Sequence, residues 1–213
     1  MFGFGSARKY DEILSDSLLL MRVISKTKKG DLGITKLAKL IYLIECKLAK
    51  DNVKTFNYHF SRDFYGPFTL EIYNDLEALE ENGLVSSATI KLTKRGRKIL
   101  KQCSELFESN TDIVSKIDEI IEKYDKLSLI EIKSLIYDSE ASLESGLSQK
   151  VGKVPLGTDL KVNVLEKDAK DKFAVSQWDE TLDIYFNDEA CASLNEAMRD
   201  AKEGRFCALN EEF

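Results

Sequence analysis

Tyr65-Gly66-Pro67-Phe68-Thr69-Leu70-Glu71-Ile72-Tyr73-Asn74-Asp75-Leu76-Glu77-Ala78-Leu79-Glu80-Glu81-Asn82-Gly83-Leu84-Val85 is the stretch that decides how this chain is read. Gly66-Pro67 stops the segment before it. Thr69 offers a helix cap, and Ile72, Tyr73, Leu76 and Leu79 recur at helical spacing. A helix is therefore expected over residues 69–82, ended by Asn82-Gly83. Leu84-Val85 and Thr89-Ile90-Lys91-Leu92 read as two short strands around a Ser86-Ser87-Ala88 turn. Thr93 caps a basic helix that begins Lys94-Arg95-Gly96-Arg97-Lys98-Ile99-Leu100. Upstream, Thr35 caps a helix over residues 36–50 with the stripe Leu37, Leu40, Ile41, Leu43, Ile44 and Leu48. The order from Thr35 to Leu100 is that of a winged helix-turn-helix.

The charge of the central helix opposes the function that this order suggests. Glu71, Asp75, Glu77, Glu80 and Glu81 lie within it, and no Lys or Arg does. Base reading in the major groove relies chiefly on Arg or Lys against guanine, and carboxylates are repelled by the phosphates that line the groove. Recognition of a protein fits this helix better than sequence-specific recognition of DNA. The neighbouring cluster Lys91, Lys94, Arg95, Arg97, Lys98 and Lys101 is the candidate nucleic-acid surface. Such a cluster neutralises phosphates and positions a protein without reading bases. It equally suits an acidic partner, including the chain's own tail.

The chain has 213 residues, 43% of them hydrophobic, enough for a packed core. Residues 1–110 hold 18 basic and 14 acidic residues, whereas residues 111–213 hold 13 and 23. The second half thus repels phosphate backbones and attracts basic protein surfaces. Four separated cysteines, Cys46, Cys103, Cys191 and Cys207, and one histidine, His59, match no zinc spacing, so reduced thiols and a cytoplasmic setting are expected. There is no signal-peptide pattern at the N-terminus and no apolar run of membrane-spanning length. No Gly-rich phosphate loop, nucleophile elbow or Cys–His pairing is legible. No catalytic, cofactor-binding or metal-binding residue is assigned, and the chain is read as a non-enzyme.

Around the central stretch, residues 11–26 show helical spacing. Residues 55–64 place Phe56, Tyr58, Phe60 and Phe64 on one face of an extended segment. Ile113, Ile117, Ile120 and Ile121 mark another helix, and Ser128 caps the next. The fold class is mostly α (α+β). Residues 1–140 form a winged helix-turn-helix-like domain and residues 141–160, with Ser, Gly, Lys and Pro155, form a linker. Residues 161–213 form a small acidic region with strands near 161–165 and 181–186 and a helix over 189–202.

Lys39-Leu40-Ile41-Tyr42-Leu43, Tyr65-Gly66-Pro67-Phe68 and the run from Asp75 to Val85, with Leu92-Thr93-Lys94-Arg95-Gly96, resemble the Panacea (SocA-like) antitoxin domain family over about residues 10–140. The resemblance implies a helical winged-helix-like domain that neutralises a toxin, and in the SocA branch an adaptor that delivers a toxin to a protease. The tail from Leu194 to Phe206, followed by Leu209, is similar to the toxin-wrapping C-terminus of RelB/Phd-type antitoxins. A short amphipathic helix followed by an extended piece suits groove binding and sheet-edge addition. Tyr65, Phe68, Leu194, Met198, Phe206 and Leu209 are accordingly the candidate partner-binding residues. The expected function is an antitoxin-like protein-binding module. The alternatives are a winged-helix transcriptional regulator that uses the basic cluster and a phage or mobile-element accessory scaffold. The expected partners are a protein, read as a toxin encoded nearby, weakly held nonspecific DNA, and a second copy of the chain in a homodimer. No membrane is expected.

Overall fold

The computed structural model describes residues 8–27, 32–86, 88–143, 145–162, 164–175, 177–203 and 205. The described chain is mostly α with small sheets. The helices are α1 (Tyr10–Lys26), α2 (Ile34–Leu48), α3 (Glu71–Glu81), α4 (Lys94–Gln102), α5 (Ser104–Ser109), α6 (Thr111–Tyr124), α7 (Leu129–Asp138), α8 (Asp179–Phe186) and α9 (Asp188–Lys202). The strands are β1 (Val53–Lys54), β2 (Phe60–Asp63), β3 (Gly66–Phe68), β4 (Val85–Ser86), β5 (Lys91–Leu92), β6 (Glu140–Leu143), β7 (Ser148–Lys150), β8 (Asp159–Lys161) and β9 (Asp171–Lys172).

Helix α2 is the axis of the core, buried on nearly every side from Lys36 to Glu45. Leu37, Leu40, Ile41, Tyr42 and Ile44 are inaccessible to solvent. It packs against α6, α7 and β3, while α1 lies against α3, α4 and α6. Three charged residues of α2 point inward, each onto a different segment of the chain. Lys36 donates to the Asp125 carbonyl at 2.8 Å and pairs with its carboxylate at 3.4 Å. Lys39 donates to the Pro67 carbonyl at 2.5 Å. Glu45 accepts from the Thr55 hydroxyl and, at 2.7 Å, from the Phe56 N–H. These polar contacts satisfy loop backbone groups that burial would otherwise leave unpaired.

Several local expectations meet a physical correction. Helix α2 begins at Ile34 with Gly33 as its cap, so Thr35 lies in the first turn. Helix α3 begins at Glu71, and Thr69 bonds the Glu71 N–H from just outside it at 3.3 Å. Residues 55–64 are not one strand. Only residues 60–63 pair, the chain turns at Phe64-Tyr65, and Gly66-Pro67 begins the returning strand β3. Pro67 is tolerated because β3 is the edge of its sheet, where a missing N–H breaks no ladder.

The largest departure concerns residues 141–160. The segment read as a linker supplies β6, β7 and most of β8, in a five-stranded sheet of order β3-β2-β8-β6-β7. Phe60 pairs with Leu160, and Leu143 with Leu160 on the other side. Leu143, Val151, Val154 and Leu160 are buried. Further on, residues 181–186 are helical, not extended. Asp179 and Glu180 fall in the first turn of α8, where carboxylates favour a helix N-terminus, and Leu182 is fully buried. Strand β9 pairs in parallel with β1.

Candidate interaction surfaces

The first candidate surface is built on α3, and its charge is divided by burial. Asp75 is 3% exposed and Glu71 is half-buried, whereas Tyr73, Asn74, Glu77, Glu80 and Glu81 lie outward. Asp75 meets Arg8, which enters ahead of α1. Arg8 Nη2 lies 2.7 Å from Asp75 Oδ1, and its Nη1 lies 2.9 Å from Asp75 Oδ2 and 2.7 Å from Asp16 Oδ2. The guanidinium also sits 5.1 Å from the centre of the Tyr58 ring, and the Tyr58 hydroxyl donates to Asp75 at 2.9 Å. Asn57 closes the far side by donating to Asp16 from its N–H at 2.9 Å and its side chain at 3.0 Å. Burial opposes the Arg8 charge, yet Asp75 and Asp16 raise its pKa above the usual arginine value. Burial in turn pushes the Asp16 carboxyl up, against the pull of Arg8.

Glu71 faces His59. It accepts from the His59 N–H at 2.6 Å and lies 3.1 Å from His59 Nδ1. That hydrogen bond raises the His59 pKa, although partial burial works against it. Two of the five carboxylates of the central helix therefore face inward partners. Glu77, Glu80 and Glu81 remain on its solvent side, beside no Lys or Arg of the helix itself.

The basic stretch after α3 is divided in the same way. Thr93 caps α4 by accepting from the Gly96 N–H at 3.0 Å, as its sequence predicts. Gly96 is required there because an added Cβ would lie 2.1 Å from the Leu84 carbonyl oxygen. Arg95 donates to the Asn82 carbonyl at the end of α3 and to the Tyr185 carbonyl of α8 at 3.0 Å. Arg97 donates to the Leu92 carbonyl at 2.5 Å. Both arginines thus tie the β4–β5 hairpin and its neighbours together. Lys91, Lys94, Lys98 and Lys101 are exposed. A groove of about 660 Å³ beside α4 is lined by Leu92, Leu100, Phe107 and Val114, with Arg97 and Lys101 at its edge.

Of the candidate partner-binding residues, Tyr65 is 65% exposed at the tip of the β2–β3 hairpin. Phe68 is half-buried against Tyr73, with ring centres 5.6 Å apart. Phe56, Tyr58 and Phe60 are buried, and Phe64, expected on their face, is 74% exposed. Leu194 and Met198 are 43% and 51% exposed on α9, a helix capped by Asn187, which accepts from the Ala190 N–H at 3.0 Å. Phe206 and Leu209 lie outside the described residues. Leu194 and Met198 lie one turn apart on α9, whereas Tyr65 stands against Lys133 and Phe68 against Tyr73. Arg8, Asp16 and Lys39 carry few local signals in the sequence, because Arg8 meets Asp75 67 residues away, Asp16 meets Asn57 41 residues away and Lys39 meets Pro67 28 residues away.

No helix among the described residues is long and apolar enough to cross a membrane, and no group of His, Cys, Asp and Glu among them could hold a metal ion. No family model, curated protein or solved structure matches the chain.

Proposed function

We propose that this chain is an antitoxin-like protein-binding module of the Panacea (SocA-like) type, which neutralises a partner by occluding its working surface or delivers it to a protease. In this reading α2, α3 and the β4–β5 hairpin are a winged helix-turn-helix turned to protein recognition. The observation that supports it most is the solvent face of α3, where Glu77, Glu80 and Glu81 occupy the place a base-reading helix gives to cations. Exposed Leu194 and Met198 on α9 suit a second contact, in the manner of a helix laid in a groove. Co-expression with the product of the adjacent gene, followed by pull-down, tests the reading. A stable complex weakened by Glu77→Lys/Glu81→Lys is expected, and absence of any complex contradicts it.

A second reading has one observation in its favour. Lys91, Lys94, Lys98 and Lys101 are exposed along the hairpin and α4, a surface suited to phosphates. A regulator of this kind would bind duplex at low salt with steep salt dependence. A gel-shift at low salt with the full chain and with its Lys94→Ala/Lys98→Ala variant separates the two readings.

A further inference from the structure

A separate cluster of cations lies beneath the β2–β3 turn and takes no part in the reading above. Lys39 of α2, Arg62 of β2 and Lys133 of α7 converge around Gly66 and Tyr137. Lys39 is 3% exposed, and Pro67 gives it a neutral carbonyl. Arg62 is 9% exposed and donates from Nε to the Val151 carbonyl at 3.1 Å. Its guanidinium lies 4.9 Å from the centre of the Tyr137 ring. Its Nη1 is buried and has no hydrogen-bond partner among the described residues. Lys133, half-buried at the rim, stands 4.9 Å from the centre of the Tyr65 ring. Gly66, with φ of +96°, holds a backbone conformation that favours glycine and lies against Lys39 and Tyr137. A Cβ there would lie 3.4 Å from Lys39 Cε and 4.0 Å from the Tyr137 ring.

The charges in this cluster do not balance. Buried cations are ordinarily paired with anions, yet Lys39 and Arg62 hydrogen-bond to carbonyls. Asp63 is a carboxylate that acts in the opposite sense on Lys39. Burial lowers the Lys39 pKa to about 8, and Lys133 and Arg62 press it the same way. Lys39 and Arg62 are buried and Lys133 is half-buried beside them, a concentration of positive charge that suits an anion.

We propose that Lys39, Arg62 and Lys133 form a binding site for a terminal phosphate group. Arg62 Nη1 and Lys39 Nζ form its floor, and Lys133 closes its rim. Guanidinium and ammonium donors at one point are the usual means of holding phosphate oxygens. Exposed Tyr65 and Phe64 stand beside the rim and offer ring faces to whatever carries the phosphate. The shared chemistry is therefore a phosphate dianion, either free or on a nucleoside monophosphate.

The test is calorimetric titration of the full chain near neutral pH with sodium phosphate and with AMP, against sodium chloride at matched ionic strength. Saturable binding of phosphate or AMP is expected, with a rise in thermal midpoint that chloride does not give. Lys133→Ala should weaken it about tenfold, the effect of losing one charge-assisted bond, and Lys39→Met should abolish it. Should Lys39→Met fail to fold, Lys133→Glu on the rim carries the test. AMP binding more tightly than phosphate supports a nucleotide ligand, and equal affinities support free phosphate. Equal responses to phosphate, AMP and chloride, or unchanged affinity in both Lys133 variants, would overturn the proposal.

Discussion

Arg8 and Arg62 are both buried guanidiniums stacked on a tyrosine, and they sit in opposite electrostatic settings. Arg8 is ringed by Asp16, Asp75 and, at 3.6 Å, Glu71. Arg62 meets the Val151 carbonyl, and its Nη1 has no hydrogen-bond partner among the described residues. The first arrangement consumes its charge and fixes the entry to α1 against α3. The second leaves charge over. Burial alone therefore does not tell a structural cation from one available to a ligand; the neighbouring carboxylates do.

Substitutions can break or sharpen this contrast. The largest effect is expected from Arg8→Met, which strands two buried carboxylates and should cost about 3–5 kcal/mol in urea unfolding. Adding Asp75→Asn should return part of that loss, a non-additivity read from the double-mutant cycle. Gly96→Ala should cost about 1–3 kcal/mol by overpacking α4 against the Leu84 carbonyl. Arg62→Met should cost least, under about 1 kcal/mol, because it strands no carboxylate and an apolar side chain of similar size fills the site. Equal losses for Arg8→Met and Arg62→Met would erase the contrast.

Glu45 is the mirror case, a fully buried carboxylate that forms no ion pair among the described residues. Burial pushes its pKa up to about 8, against the bonds from Thr55 and Phe56. Between its ordinary value of 4.5 and about 8 the folded chain holds this proton and the unfolded chain does not. Folding stability should then fall as pH rises through that window, and Glu45→Gln should flatten the slope. Chemical denaturation at a series of pH values reads both.

The sequence made local signals legible and left the distant ones obscure. The Thr93 cap and the Ser128–Glu131 capping box are formed as their residue types require, with Ser128 N–H to Glu131 at 2.8 Å. The apolar stripes of α1, α2 and α6 also fall in the core. By contrast, Lys36, Lys39 and Glu45 look like the wet face of a helix until the loops that cover them are known. The strands β6 to β8 are short and rich in Ser and Lys, and they join the earlier part of the sheet through β8, which pairs with β2 about 100 residues away, a pairing that no local pattern announces. The acidity of α3 was legible as a count, but its division into Asp75 inside and Glu77, Glu80 and Glu81 outside depends on Arg8. The basic cluster likewise lost Arg95 and Arg97 to internal carbonyls.

The proposed function requires α3 to present its acidic face to a polypeptide. Amide hydrogen exchange of the full chain, taken alone, with the adjacent gene's product and with a duplex at low salt, tests this most directly. Protection over residues 71–81 by the protein and none there by the duplex is expected. Protection of those residues by the duplex, with the protein leaving them unchanged, would contradict it.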